Sequence, residues 1–257
     1  MRWDPGLYAR HAGHRGRPFF DLVGRIDHAC PRSVVDLGCG PGNLTEALAQ
    51  RWPDASVRGV DSSADMIGAA RRRPAPPNLA FEVGDLRDYR PGSDEVVVTN
   101  AALQWIPGHR DLLTAWAEAL PAGGWIALQV PGNFTAPSHA LMREHAASPR
   151  WADRLRGVLR HDDAVGAPAD YLAQLLDAGL EADVWETTYQ QVLTGEDAVL
   201  GWVRGTALLP VLEVLSDQEA AEFEAGYGEL LRRAYPRGGH GTVFGFRRIF
   251  AVGHRPA

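Results

Sequence analysis

Apolar and polar positions change period in a regular order along the chain. Phe19, Leu22, Val23 and Ile26 recur at helical spacing, and Val34, Val35 and Leu37 then make a short apolar run. That run stops at Gly38-Cys39-Gly40-Pro41-Gly42, after which Leu44 and Leu48 return to helical spacing. Ser56–Asp61, Leu79–Leu86, Glu95–Asn100 and Trp125–Val130 repeat the strand pattern. A helix carrying Leu112, Leu113, Trp116 and Leu120 lies between the last two and is broken by Pro121-Ala122-Gly123-Gly124. Strict strand–helix alternation predicts an α/β fold, a doubly wound and mostly parallel sheet. The valine run 96–98 suits a parallel strand buried on both faces.

Beyond residue 131 the alternation lapses. Residues 134–160 are helical in composition, and Tyr171 to Leu176 begins another amphipathic helix closed by Gly179. Asp183–Val192 and Thr242–Val252 read as strands six and seven, with helices over 196–234 between them. The organisation expected is a leader over 1–30 that covers the site and a core over 31–134. Residues 135–180 supply a helical lid segment and the last core helix. The stretch 181–257 supplies strands six and seven, with a helical insertion at about 195–240. The insertions are expected to form a lid over the strand ends.

Composition narrows the classes of function. With 257 residues and 45% hydrophobic positions, the chain has material for one large α/β domain with an insertion, or for two small ones. A net charge of −6 gives no electrostatic footprint for nucleic acid or an anionic membrane. An anionic substrate would have to meet a local basic patch. Two cysteines, Cys30 and Cys39, fit a reducing compartment. No apolar core of a signal peptide follows Met1, and no apolar run reaches the roughly 20 residues of a membrane span. A soluble, cytoplasmic protein is expected; oligomeric state is left open.

The chemistry gathers at the strand ends. Asp36 precedes a loop with glycines at 38, 40 and 42, whose missing Cβ atoms would let a ligand approach the backbone. The spacing is G-x-G-x-G, whereas a dinucleotide loop reads G-x-G-x-x-G and aims a helix N-terminus at a pyrophosphate. A carboxylate at 36 repels an anion and attracts a sulfonium bearing an α-amino group. The loop therefore favours S-adenosylmethionine over NAD, although a plain glycine turn would look the same. Asp61 ends the second strand about 20 residues further on, where doubly wound folds place the carboxylate that bonds a ribose diol. Helix capping is its competing role. Ser62 follows, and Met66 on the next helix is placed for an adenine ring or for the core.

Asp85, with Leu86, ends the third strand and would accept from an exocyclic adenine amine. Asn100 and Ala101 end the fourth and offer a small-walled rim for a methionine chain. Gln104 and Trp105 would stand beside the reactive methyl, unless Trp105 is simply core. The cofactor set expected is Asp36, Gly38, Gly40, Asn43, Asp61, Ser62, Met66, Asp85, Leu86, Asn100 and Ala101. No metal is expected.

These motifs resemble the class I S-adenosylmethionine-dependent methyltransferases, which implies a Rossmann-like seven-stranded sheet. Over nearly the whole chain the likeness is more specific. Trp3-Asp4-Pro5 with Leu7-Tyr8, the run Asp36–Asn43, Asn100-Ala101-Ala102-Leu103-Gln104-Trp105, Pro137-Ser138-His139 with Leu141-Met142-Arg143-Glu144, and Trp185-Glu186-Thr187-Thr188-Tyr189 are together similar to trans-aconitate 2-methyltransferases. The resemblance implies methyl esterification of one carboxylate of trans-aconitate, with S-adenosylhomocysteine as product. The stretches 145–170 and 196–240, where substrate choice would be set, carry weaker motifs.

A carboxylate nucleophile is already ionised at neutral pH, so no essential general base is expected. Gln104, Trp105 and His139 are expected to position the reactants. A tricarboxylate needs cations, and the planar fork of arginine suits it. Tyr8, His11, Arg15, Arg143, Tyr189, Arg204 and Arg247 are the candidate substrate ligands; Arg17 and Arg248 are weighed with them, and alternation along a strand lets at most one of Arg247 and Arg248 face the site. Three other readings stay open: a methyltransferase for a carrier-linked carboxylate such as a malonyl thioester, an NAD-dependent oxidoreductase, and a noncatalytic S-adenosylmethionine-binding module.

Overall fold

Seven strands lie in one sheet in the order β3-β2-β1-β4-β5-β8-β6, where β1 is Ser33–Leu37, β2 Ser56–Asp61, β3 Leu79–Val83, β4 Val96–Asn100, β5 Trp125–Pro131, β6 Glu181–Leu193 and β8 Gly241–His254. The two-residue β7 (Arg237–Gly238) adds to β8 in antiparallel register. This computed structural model describes residues 12–160 and 162–257, without the side chains of 12–15 and 162. Tyr8, His11 and the side chain of Arg15 lie outside the described residues, as does most of the leader's cationic run.

Strand β1 pairs in parallel with β2 and β4, β2 with β3, and β4 with β5. Val34, Val35, Val96, Val97 and Val98 are fully buried, as expected of strands covered on both faces. β3 closes one side of the sheet and is correspondingly more exposed. The chain reverses its direction of winding between β1 and β4. Ligands of open α/β sheets bind at such a switch point, outside the carboxyl ends of the strands.

The helices are α1 (Ala12–Val23), α2 (Thr45–Arg51), α3 (Ala64–Arg71), α4 (His109–Ala119), α5 (Pro137–Ala146), α6 (Ala152–Leu155), α7 (Pro168–Asp177), α8 (Ala198–Arg204), α9 (Leu209–Val214) and α10 (Asp217–Ala234). Helix α1 begins well before Phe19 and runs through Pro18, at the cost of one ladder hydrogen bond. Helix α7 starts at Pro168, three residues ahead of Tyr171, because proline fits the first turn, where its missing N–H has no helical partner to lose. Arg71, Arg72 and Arg73, at the end of α3, are all exposed. Arg71 donates to the Phe81 carbonyl at 2.7 Å, and Arg73 pairs with Glu46 at 3.1 Å.

Two compact units divide the chain. The first takes residues 12–130, 166–186 and 249–257; the second takes 131–165 and 187–248. In the first, His109 and Tyr171 join α4 to α7 through a 2.9 Å hydrogen bond, and Trp185 stacks on Phe250 with centroids 4.8 Å apart. The second has its own aromatic core, including Trp151, Trp202, Phe223, Tyr227 and Phe244. Ser216 and Glu219 form a capping box that starts α10. Further along that helix, the Tyr227 hydroxyl donates to the Ser138 carbonyl at 2.6 Å, which ties it to α5. Among the described residues no helix is long and apolar enough to cross a membrane, and Cys30 and Cys39 are both free thiols.

Candidate active site

The glycine loop leaves β1 in a left-handed conformation that the sequence dictates. Gly38 has φ +80°, and a Cβ there would come within 2.3 Å of the Ala102 Cβ. Only glycine lets the loop pack against the turn after β4. Gly40, at φ +56°, differs: a Cβ on it would meet nothing within 4 Å. Its open side belongs to a cavity of about 340 Å³ at the carboxyl ends of β1 to β4. That is within the range of small-molecule sites.

Gly38, Gly40 and Pro41 form one part of the cavity wall. Asp61, Ser62 and Met66 form the next, then Asp85, Leu86 and Arg87, and finally Asn100, Ala101, Ala102, Trp105, Ile106 and Pro107. Asp61 joins two of these groups. Its Oδ2 accepts the Gly40 N–H at 2.9 Å, and its Oδ1 accepts the Ser63 N–H at 2.8 Å. Each oxygen keeps a second lone pair. The Ser63 side chain caps α3 by accepting from the Met66 N–H at 3.3 Å, which fixes Met66 in the first turn against the cavity.

Asp36 has a different place from the other strand-end acids. It is 3% exposed and is not part of the cavity wall; the Thr45 hydroxyl donates to its Oδ2 at 2.6 Å. Burial raises its pKa to about 7, the Thr45 hydrogen bond opposes the rise, and the charge of Asp61 adds to it. Its charge near neutrality is therefore partial. Asn43 also lies outside the wall.

Asp85 is already engaged. The Arg87 side chain and backbone N–H both donate to its Oδ1, at 2.9 and 2.8 Å, and hold its pKa down to about 2. Arg87 is a wall residue that no sequence motif marked. The fourth wall contains a strained residue. Ala101 has φ +55°, alone in that region among the described non-glycine residues. Its N–H donates to the Gln129 carbonyl at 2.9 Å, and its own carbonyl accepts from the Gln104 side chain at 2.6 Å. Gln104 thus braces the turn from behind and is not itself in the wall, whereas Trp105 is. Asn100 Oδ1 is buried with no hydrogen-bond partner among the described residues.

The remaining candidates, Arg17 excepted, belong to the second unit. His139 and Arg143 sit on α5, and with Phe134 and Arg160 they border a small separate cavity. Arg143 donates to the Phe134 carbonyl at 2.8 Å. Arg204 is exposed and paired with Glu224 at 3.0 Å, Tyr189 is buried, and Arg247 donates to the Gly132 carbonyl at 3.3 Å. Arg248 is buried with its guanidinium 4.0 Å from the Phe246 ring centroid, whereas exposed Arg17 approaches Asp21 at 3.9 Å.

Comparison with known proteins bears on the chemistry. A methyltransferase domain model matches residues 34–124. A trans-aconitate 2-methyltransferase of Streptomyces coelicolor is 54% identical, covering 99% of this chain and 87% of that protein. One from Streptomyces avermitilis is 52% identical over 99% and 97%, and one from Rhodococcus jostii is 53% identical over 97% and 98%. Among solved structures, the YcgJ protein of Bacillus subtilis superposes with a TM-score of 0.60 at 14% identity, covering 94% of this chain and 99% of that one. Geranyl diphosphate C-methyltransferase of Streptomyces coelicolor, determined with S-adenosyl-L-homocysteine, gives 0.54 at 16% identity over 97% and 82%. These two carry the Rossmann-like fold alone. Identity above half along nearly the full length carries the family: the chain belongs to the trans-aconitate 2-methyltransferases.

Proposed function

We propose that the chain transfers a methyl group from S-adenosylmethionine to one carboxylate of trans-aconitate, giving the methyl ester and S-adenosylhomocysteine. The observation that carries this reading is 54% identity to a trans-aconitate 2-methyltransferase across 99% of the chain. The cavity at the switch point fits the cofactor on its own terms. Asp61 has acceptor capacity for a ribose diol, Met66 and Leu86 give apolar contact for a base, and Gly38 and Gly40 leave the backbone approachable. The open acceptor of Asn100 and the turn at Ala101 suit the amino-acid end.

When bound, S-adenosylmethionine supplies a methyl group made electrophilic by its sulfonium. The protein's residues orient and enclose. A carboxylate needs no proton removed at neutral pH, so no general base is assigned. Trp105, held beside the braced turn at Ala101, would shield the reacting groups from water. Asp36 would act beneath the loop by fixing Thr45 at the start of α2. Arg143, Arg204, Arg247 and Tyr189, with Tyr8, His11 and Arg15, are the proposed substrate set; the Glu224 pairing makes Arg204 the weakest member.

The test incubates the chain and S-adenosylmethionine separately with trans-aconitate, cis-aconitate, citrate and a malonyl thioester, with products identified by mass spectrometry. A methyl ester formed fastest from trans-aconitate is expected. Turnover of the thioester alone, or of no acid, would overturn the reading.

A further inference from the structure

We infer that Arg87 is a positioning residue for the cofactor's base: its guanidinium and backbone N–H lock the Asp85 carboxylate so that one acceptor site is left for the exocyclic amine of adenine. The inference deepens the proposed function and rests on that reading for the identity of the ligand. All the residues it uses belong to the first unit.

The backbone brings the pair to the cavity. Strand β3 ends at Val83, and the Gly84 N–H donates to the Asp61 carbonyl at 3.1 Å, so the chain leaving β3 is tied to the end of β2. A Cβ on Gly84 would stand 2.9 Å from the Val60 Cγ1, so this close approach takes a glycine. Asp85, Leu86 and Arg87 follow and border the cavity with Asp61 and Met66. Leu86 and Met66 are buried, an apolar setting for a base, and Asp85 is the acid next to Leu86 in that wall.

Counting lone pairs shows what the pairing leaves. A carboxylate offers roughly four acceptor sites, two on each oxygen. Oδ1 takes the Arg87 backbone N–H at 2.8 Å and the Nε–H at 2.9 Å, and is filled. Oδ2 takes an Nη2–H; its contact with Nε, at 3.1 Å, shares a hydrogen already committed to Oδ1. One site on Oδ2 remains. The Arg87 side-chain bonds first, then the backbone bond, hold the Asp85 pKa down to about 2, so the group accepts and does not donate at neutral pH. An amine fits that site, and a carbonyl oxygen is repelled by it. A pair on an exposed turn adds little to stability, and the Arg87 side chain is 69% exposed. Its effect is on direction: the Asp85 side chain is 31% exposed, and without the planar fork of Arg87 it would gain rotamers that turn the carboxylate to water.

The experiment measures, by calorimetry, binding of S-adenosylhomocysteine and of S-inosylhomocysteine, in which a carbonyl replaces the amine. Wild type, Arg87→Gln, Arg87→Lys, Asp85→Ala and the Asp85→Ala/Arg87→Gln double variant are compared. Wild type is expected to prefer the adenosine compound at least about tenfold, the scale of one charge-assisted hydrogen bond. Arg87→Gln should bring that preference below about threefold, and Arg87→Lys, which keeps charge but not the fork, should recover part of it. Asp85→Ala should remove the preference, with no further loss in the double variant. A residue that only steadied the turn would lower both affinities alike and leave their ratio unmoved. A ratio unchanged in Arg87→Gln overturns the inference, even where wild type forms the methyl ester. A raised ratio overturns it too, since Arg87 would then be donating to the inosine carbonyl itself. Wild type that binds neither compound would sink the cofactor reading, and this inference with it.

Discussion

The Asp61 carboxylate accepts the Gly40 backbone N–H at 2.9 Å, so the acid at the end of β2 holds the glycine loop at the end of β1. Its other oxygen accepts from Ser63 at 2.8 Å. One side chain thus sets the loop, the start of α3 and a wall of the cofactor cavity. Replacing Asp61 by Ala should weaken S-adenosylmethionine binding by at least about tenfold, the scale of a charge-assisted hydrogen bond. Asp61→Asn, which keeps one acceptor, should fall between. Calorimetric affinities equal to wild type for both would remove Asp61 from the site.

Gly38 and Gly40 should respond differently to alanine. Gly38→Ala combines a left-handed φ with a Cβ 2.3 Å from Ala102 Cβ, and should lower stability by roughly 2–4 kcal/mol. Gly40→Ala meets only the backbone penalty, about 1–2 kcal/mol, but puts a methyl beside the cavity. Its larger effect should be on cofactor affinity. Urea unfolding and calorimetry on both variants separate the two; equal stability losses would contradict the geometry.

Asp36 makes stability depend on pH in a stated direction. Its folded pKa, about 7, lies above the ordinary aspartate value of 3.8, so the folded chain holds this proton more tightly than the unfolded one. As pH rises from about 4 to 7 the unfolded state loses the proton first, and the stability attached to it is lost through that window. Asp36→Asn should flatten this part of the profile and, at pH 8, should match or exceed wild type by up to a few kcal/mol, on the order of the linkage. A wild-type profile from pH 5 to 8 that the substitution leaves unaltered would refute the buried, proton-holding Asp36.

Tyr227 donates from a fully buried position to the Ser138 carbonyl at 2.6 Å. Tyr227→Phe leaves that carbonyl without this donor at little change in volume. A loss of roughly 1–3 kcal/mol is expected, read as a fall in Tm. Cofactor affinity should stay at the wild-type value, since the first unit's cavity does not include Tyr227. An unchanged Tm would mean that the bond contributes nothing net.

The sheet was legible because its signals are local. Valine runs at 34–35 and 96–98 and a glycine loop read as strand and turn without tertiary information, and they are buried as expected. Asp61 and Asn100 follow from position alone, since a parallel strand delivers its last residue to the ligand side, whereas Asp85 lies two residues beyond Val83, where β3 ends. Asp36 does not. Its place beneath the loop depends on the side chain's direction and on Thr45, nine residues away, and charge reasoning on the sequence took it for a wall residue. Arg87 was missed because its pairing with Asp85 exists only in the folded turn after β3. The division at 131–165 and 187–248 was likewise hidden, since β6 and β8 read as ordinary strands although each continues into the second unit.

That division has a consequence for how the protein is made. The chain passes between units after residues 130, 165, 186 and 248, so every residue of the second unit is made before the stretch 249–257 that the first unit needs. The final stretch is what the first unit waits for. Arg255 exchanges backbone hydrogen bonds with Gly123 and Gly124 at 2.9 Å, and its guanidinium donates to the carbonyls of Ala117 and Ala178 at 2.7 and 3.2 Å. Until those residues emerge, β5 lacks its neighbour β8 and exposes an unpaired edge to other nascent chains.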